Sequence, residues 1–248
     1  MLKQSRADIR DTLARKAIKA VYNINLYKEQ ESYVNLFQQY LSQSGGYSQA
    51  STFFKHSWLK QMRFLLMFKL TNVLIKTLPA EQQKMSKLHY GPSSKHQYGI
   101  YTDLHISQTT LSNWDLKLLN KVFFYAFKFG ISKDDVFYLP RLVNTVKFLS
   151  DFVALAQKLD PSGKLDLVSP GFLDNAHLKL VNYREIISIL EKHKRNDRES
   201  MLSMIVSTKA NHPDATAAEI GAKCFMDPTL VSKNIRTFQK SISQYLVV

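Results

Sequence analysis

Near the C-terminus two helix starts stand within a dozen residues of each other, and that spacing restricts the fold more tightly than anything else in the chain. Thr216-Ala-Ala-Glu219 has the pattern of a capping box. In that device the threonine hydroxyl accepts the amide three residues on, while the glutamate reaches back to the threonine amide. Asp227-Pro228 is another start, because aspartate caps free amides and proline at the first helical position has no amide to leave unsatisfied. Between them there is room for one short helix, Ile220-Gly221-Ala222 to Cys224, and a turn at Phe225 and Met226. Gly221 has almost no side chain and so permits a close crossing. Upstream, Met201, Leu202 and Ile205 mark one face of a helix expected to open at Asp197 and to stop at Asn211-His212-Pro213.

The helix after Asp227 reads as two-faced. Leu230, Val231, Ile235 and Phe238 form its apolar side, and Thr229, Ser232, Lys233, Asn234, Arg236, Thr237 and Lys240 fill the rest, with no acidic residue after Asp227. A polar and basic face of this kind suits a groove lined by phosphates and base-edge acceptors.

This segment resembles the helix-turn-helix and winged-helix DNA-binding superfamily. Its members often read as an aliphatic followed by a small residue, a turn, and then Ser-Pro-x-x-Val-Ser-[Arg/Lys]-x-[Leu/Ile]. The chain has Ile220-Gly221, then Asp227-Pro228-Thr-Leu-Val231-Ser232-Lys233-Asn-Ile235. The resemblance covers residues 197–248. It implies that the third helix is the recognition helix, with base contacts from Thr229, Ser232, Lys233 and Arg236 and a phosphate contact near Thr216. Two features depart from the pattern. Phe225 stands where the family usually has glycine at the turn; a positive φ there is unusual for a bulky residue, and a longer or differently shaped turn is the alternative. Only Ser241 to Val248 remain for the hairpin that a wing would need.

Composition bounds the other four-fifths. With 45% hydrophobic and 12% aromatic residues in 248, the chain can bury a sizeable core as one large domain or two small ones. Its formal charge of +14 favours a polyanionic partner. Half of that excess lies between residues 51 and 100, which carry eight basic residues and one acid, Glu81. Lys55, Lys60, Arg63, Lys69, Lys84, Lys87 and Lys95 are therefore candidates for a second surface facing a nucleic-acid backbone. Solvated lysines are the alternative reading of the same residues.

The most hydrophobic stretch, Thr52 to Leu78, is interrupted by Lys55, Lys60, Arg63, Lys69 and Lys76, so it reads as a buried core helix and not as a membrane span. Ser5 to Tyr22 and Glu29 to Leu41 read as an amphipathic pair broken by Ser44-Gly-Gly46. Residues 88–111 lack helical periodicity and read as a long loop, in which Tyr98-Gly-Ile-Tyr101 fits one strand of a hairpin. Ser112 with Asp115, Ser132 with Asp135, and Asn182 with Glu185 read as further helix starts, with Pro140 splitting or kinking the second of these. A domain boundary is expected in the Pro- and Gly-bearing stretch 160–181, dividing a helical domain, 1–165, from a DNA-binding domain, 182–248.

A search for catalytic chemistry gives little. The seven histidines include no pair at metal-binding helical spacing, Cys224 is the only cysteine, and no glycine-rich phosphate loop is present. Asp134-Asp135 is better explained by a helix N-terminus than by a metal. No enzyme, metal or cofactor is expected. The single cysteine and the polar N-terminus suit a cytoplasmic protein.

These readings converge on a mainly α protein, a multi-helical N-terminal domain followed by a three-helix DNA-binding domain. It is expected to bind double-stranded DNA, as a transcriptional regulator or a plasmid or phage replication or maintenance factor. A homodimer or a partner protein is expected too, because one recognition helix reads only a few base pairs. The alternative is an interaction subunit of a nucleoprotein complex that uses its charge for non-specific backbone contacts. A DNA-acting enzyme is a third reading.

Overall fold

The structure, a computed structural model, describes residues 6–43, 51–159 and 171–246; its regular elements are all helical, with no strand among the described residues. In chain order the α-helices are α1 (Arg6–Tyr22), α2 (Ile24–Gln43), α3 (Thr52–Lys76), α4 (Ala80–Tyr90), α5 (Gln97–Asp103), α6 (Gln108–Val122), α7 (Leu139–Leu159), α8 (Phe172–Arg195), α9 (Met201–Asn211), α10 (Ala217–Cys224) and α11 (Pro228–Ser241). They form two compact units, Met1–Gly130 with Phe148–Leu173, and Ile131–Lys147 with Asp174–Val248.

The first unit is arranged around α3. Its Trp58, Leu59, Leu65, Leu66, Phe68, Leu70 and Leu74 are buried, and it packs on α1, α2 and a π-helical segment, Phe123–Phe127. Of the five basic residues that interrupt this run, Lys60 and Lys76 are exposed, Arg63 and Lys69 are half-buried and Lys55 is buried. No described helix is long and apolar enough to cross a membrane.

The same unit holds a charged cluster in which Asp115 and Tyr90 are buried and the Arg15 side chain is 41% exposed. Arg15 donates to the Tyr90 hydroxyl at 2.9 Å and to Asp115 Oδ2 at 3.0 Å, and Tyr90 donates to Asp115 Oδ1 at 2.5 Å. Removing Arg15 would leave the buried Asp115 charge without its cation, so the cluster ties α1, α4 and α6 together. Asp115 therefore sits inside α6 as a buried anchor and is not part of a cap. Ser107 caps that helix, its hydroxyl accepting from the Thr110 amide. Two other expectations change in this unit. Residues 88–111 are not one long loop, because they hold the end of α4, all of α5 and the start of α6. The Tyr98–Tyr101 segment is helical, with the two rings in edge contact. The Ser44-Gly-Gly46 break lies outside the described residues.

In the second unit Pro140 stands in the first turn of α7, where its missing amide costs nothing, and a 3-10 turn, Asp135–Phe137, precedes it. Asn182 and Glu185 lie within α8 and start no helix; that helix begins about ten residues earlier, and Ala176, Leu180, Tyr183, Ile186 and Leu190 make its buried stripe. Residues 131–147, expected in the N-terminal domain, group with the C-terminal unit. Long-range pairs explain this: Phe137 packs on Phe238 with ring centroids 5.5 Å apart, Gln239 donates to the Lys133 carbonyl and to Asp134, and Tyr138 bonds Asp214. Arg141, 1% exposed, is paired with Asp135 and covered by the Tyr138 ring.

Candidate nucleic-acid interface

α9, α10 and α11 pack on one another around Ile205, Ile220, Cys224 and Val231, with Met204, Ala215, Ala217, Met226 and Ile235 at the margin. Each fully buried aliphatic side chain in such a core contributes about 1.5–3 kcal/mol, and this cluster is where the three helices meet. α9 opens at Ser200, three residues later than the expected Asp197, because the Ser200 hydroxyl accepts the Ser203 amide at 3.1 Å. Behind the platform, His193 Nδ1 lies 2.9 Å from Ser203 Oγ while its ring meets the edge of Phe238.

The capping box at the start of α10 is formed in full. Thr216 Oγ1 accepts the Glu219 amide at 3.3 Å, and Glu219 Oε2 accepts the Thr216 amide at 2.6 Å. These hydrogen bonds hold the Glu219 carboxyl below the usual carboxylate range. The Thr216 hydroxyl also donates to the same carboxylate at 2.9 Å. Thr216 is therefore exposed but occupied, and the free amides of the α10 N-terminus are what this position can offer a phosphate.

Three residues, Phe225 to Asp227, connect α10 to α11. Gly221 accepts the amides of Phe225 and Met226 through its carbonyl, which folds the turn back over α10. A Cβ at position 221 would lie 2.6 Å from the Met226 carbonyl oxygen, so only glycine fits there. Phe225 adopts φ 56° and ψ 43°, the left-handed conformation that glycine reaches most readily. Asp227 then caps α11, its Oδ1 accepting the Thr229 amide at 2.8 Å and the Leu230 amide at 3.4 Å. Those bonds hold the Asp227 carboxyl below its ordinary range.

α11 has 14 residues, a length of about 21 Å at 1.5 Å per residue. Val231 and Phe238 are buried beneath it. On its outer side Thr229, Ser232, Lys233, Arg236, Thr237 and Lys240 line one shallow hollow of about 550 Å³ together with Pro228. Six of the eight expected binding residues are thus brought onto one surface. Asn234 is not among them: it turns the other way, donates to the Leu230 carbonyl at 2.9 Å and faces Met201 of α9. Thr216 stands apart on α10. After α11 the chain turns through a 3-10 segment, Ser243–Tyr245, so no wing hairpin occurs through residue 246.

The second candidate surface is not assembled in this way. Lys55 is buried, Arg63 is half-buried with burial lowering its pKa, and the Lys69 ammonium stands 5.7 Å from the Phe148 ring centroid. Lys95 is paired with Asp103 at 2.6 Å. Lys60, Lys84 and Lys87 remain exposed, spread over α3 and α4. Among the described residues no group of three metal-ligating side chains occurs.

Sequence reasoning did not anticipate the Arg15–Tyr90–Asp115 cluster or the Arg141–Asp135 pair. The partners are separated by up to a hundred positions, and no local spacing signals them. No protein-family model matches the chain, and no curated protein or solved structure matches it either.

Proposed function

We propose that this chain is a sequence-specific binder of double-stranded DNA in which α9, α10 and α11 act as a helix-turn-helix and α11 enters the major groove. The observation that carries the reading is the shared outer face of α11, where three cations and three hydroxyls line one hollow above a packed apolar underside. Lys233 and Arg236 offer donors to guanine O6 and N7, and Thr229 and Ser232 can donate or accept at other base edges. The amides at the start of α10 meet the phosphate backbone. Control of transcription, or replication and maintenance of a plasmid or phage, are the settings that such a reader fits.

Pairing of two copies is part of this reading, since one short helix reads only a few base pairs. The N-terminal unit offers a surface for it. From Ser32 to Gln43 the chain has no charged residue, and Tyr33, Leu36 and Tyr40 are exposed there. In a chain of charge +14, an aromatic, charge-free face is where a second copy meets no repulsion. The exposed Lys60, Lys84 and Lys87 favour the second reading, a subunit that holds nucleic-acid backbone without regard to sequence.

Selection from a randomised duplex library under excess competitor decides between these. One enriched motif is expected, with a Lys233→Ala, Arg236→Ala variant losing about two orders of magnitude in affinity for it. Absence of enrichment, with wild type and variant released alike by salt, overturns the proposal in favour of backbone binding.

A further inference from the structure

Among the described residues three other than glycine adopt positive φ: His105, Phe129 and Phe225. For a bulky side chain this conformation is strained and persists only where the surroundings compensate for it. Phe129 has such compensation, since it is buried at 3% exposure. Phe225 has its amide bonded to the Gly221 carbonyl, but no burial of its side chain. Its ring is 97% exposed, the most open of the large hydrophobic side chains. Glycine would relax the backbone and asparagine would tolerate it, so a phenyl ring held in water here costs stability twice, through strain and through exposed apolar area.

The position of the ring indicates what it meets. Phe225 precedes the cap of α11 by two residues and the first polar residue of the hollow, Thr229, by four. In the docking geometry of a recognition helix, the N-terminal end of that helix contacts base edges. The nearby Asp227 carboxylate is held against two amides of α11, and the exposed Lys223 on the preceding helix sets an opposite charge beside it. In the major groove the apolar group available to a phenyl ring is the C5-methyl of thymine.

We infer that Phe225 is a specificity-determining contact that packs on a thymine methyl group at the edge of the site read by α11. This inference rests on the DNA-binding reading above. It adds an apolar contact to a face otherwise built of hydroxyls and cations.

The test uses the full chain and the duplex motif recovered by selection, with each thymine replaced in turn by deoxyuridine, which lacks only the methyl. Wild type is expected to lose about fourfold in affinity at one thymine at the edge of the motif, the worth of one buried methyl group. Phe225→Gly is expected to bind the unmodified motif about tenfold more weakly and to show no penalty at that deoxyuridine. The same variant is expected to melt at a higher temperature than wild type, because the strain is released; weaker binding by a more stable protein excludes unfolding as the cause. If wild type binds the motif but no deoxyuridine position weakens it, or if Phe225→Gly binds as wild type does, the inference is overturned while the DNA reading stands. Unchanged DNA binding with altered self-association of Phe225→Gly overturns it in favour of a protein partner. If wild type selects no motif, both readings fall.

Discussion

On α11, Lys233, Arg236 and Lys240 share one exposed surface with no acidic residue after Asp227, while residues 51–100 set eight cations against one glutamate. By count the second region is the stronger candidate for a polyanion. Half of its cations are otherwise engaged: Lys55 is buried, Arg63 half-buried, Lys69 lies near an aromatic ring, and Lys95 is paired with an aspartate from the following helix. The difference teaches that a charge excess becomes a surface only where a helix has an apolar underside to fix which way its cations face. α11 has that underside in Val231 and Phe238. In α3 the buried positions take most of the circumference.

The largest expected effect comes from removing the platform without touching a charge. Ile220→Ala is expected to lower stability by about 2–4 kcal/mol, read by urea titration, and to weaken specific DNA binding although every cation of α11 is retained. Binding at wild-type strength by the destabilised variant would show that charge suffices without arrangement. A smaller effect is expected from the other region. Replacing Lys60, Lys84 and Lys87 together by alanine is expected to change affinity for the selected motif by less than about threefold at physiological salt, since exposed charges away from the interface are screened. A tenfold loss would place part of the interface on α3 and α4.

The smallest effect is one of pH. His89 stands 3.6 Å from Asp115 in the charged cluster; burial holds its pKa below 6.5, and the opposing pull of Asp115 is the lesser cause. The folded state therefore favours neutral His89, and the unfolded chain takes up the proton more readily. The stability this gives is present above pH 6.5 and is lost as the pH falls below it towards the lower folded value. Wild type is expected to lose more of its melting temperature between about pH 7 and pH 5.5 than His89→Gln does. Equal losses would mean that His89 is as solvated in the folded state as in the unfolded one.

Much of the C-terminal region was legible because its determinants are local. The capping box, the Asp-Pro start and the two-faced helix each lie within a few residues of what they determine. Errors arose where a polar residue of capping type served a distant partner instead. Asp115 looked like part of a cap and is a buried ion-pair partner of Arg15, a hundred residues away. Asn182 and Glu185 looked like a start, but the apolar stripe of α8 continues on either side of them. Asn234 has the composition of a binding residue; helical geometry turns it towards α9. The grouping of 131–147 with the C-terminal unit had no local signal, since Phe137 meets Phe238 only after the chain has returned.

That return gives the protein a characteristic order of synthesis. The segment 131–147 belongs to a unit whose remainder begins at Asp174. It leaves the ribosome with Val136, Phe137 and Leu142 uncovered, about ninety residues before Phe238 is made. At a translation rate of about 5–20 residues per second, these side chains wait on the order of ten seconds for their partner. The first unit has all of its own residues by Leu173, so the waiting segment is carried by a neighbour that is free to fold before it.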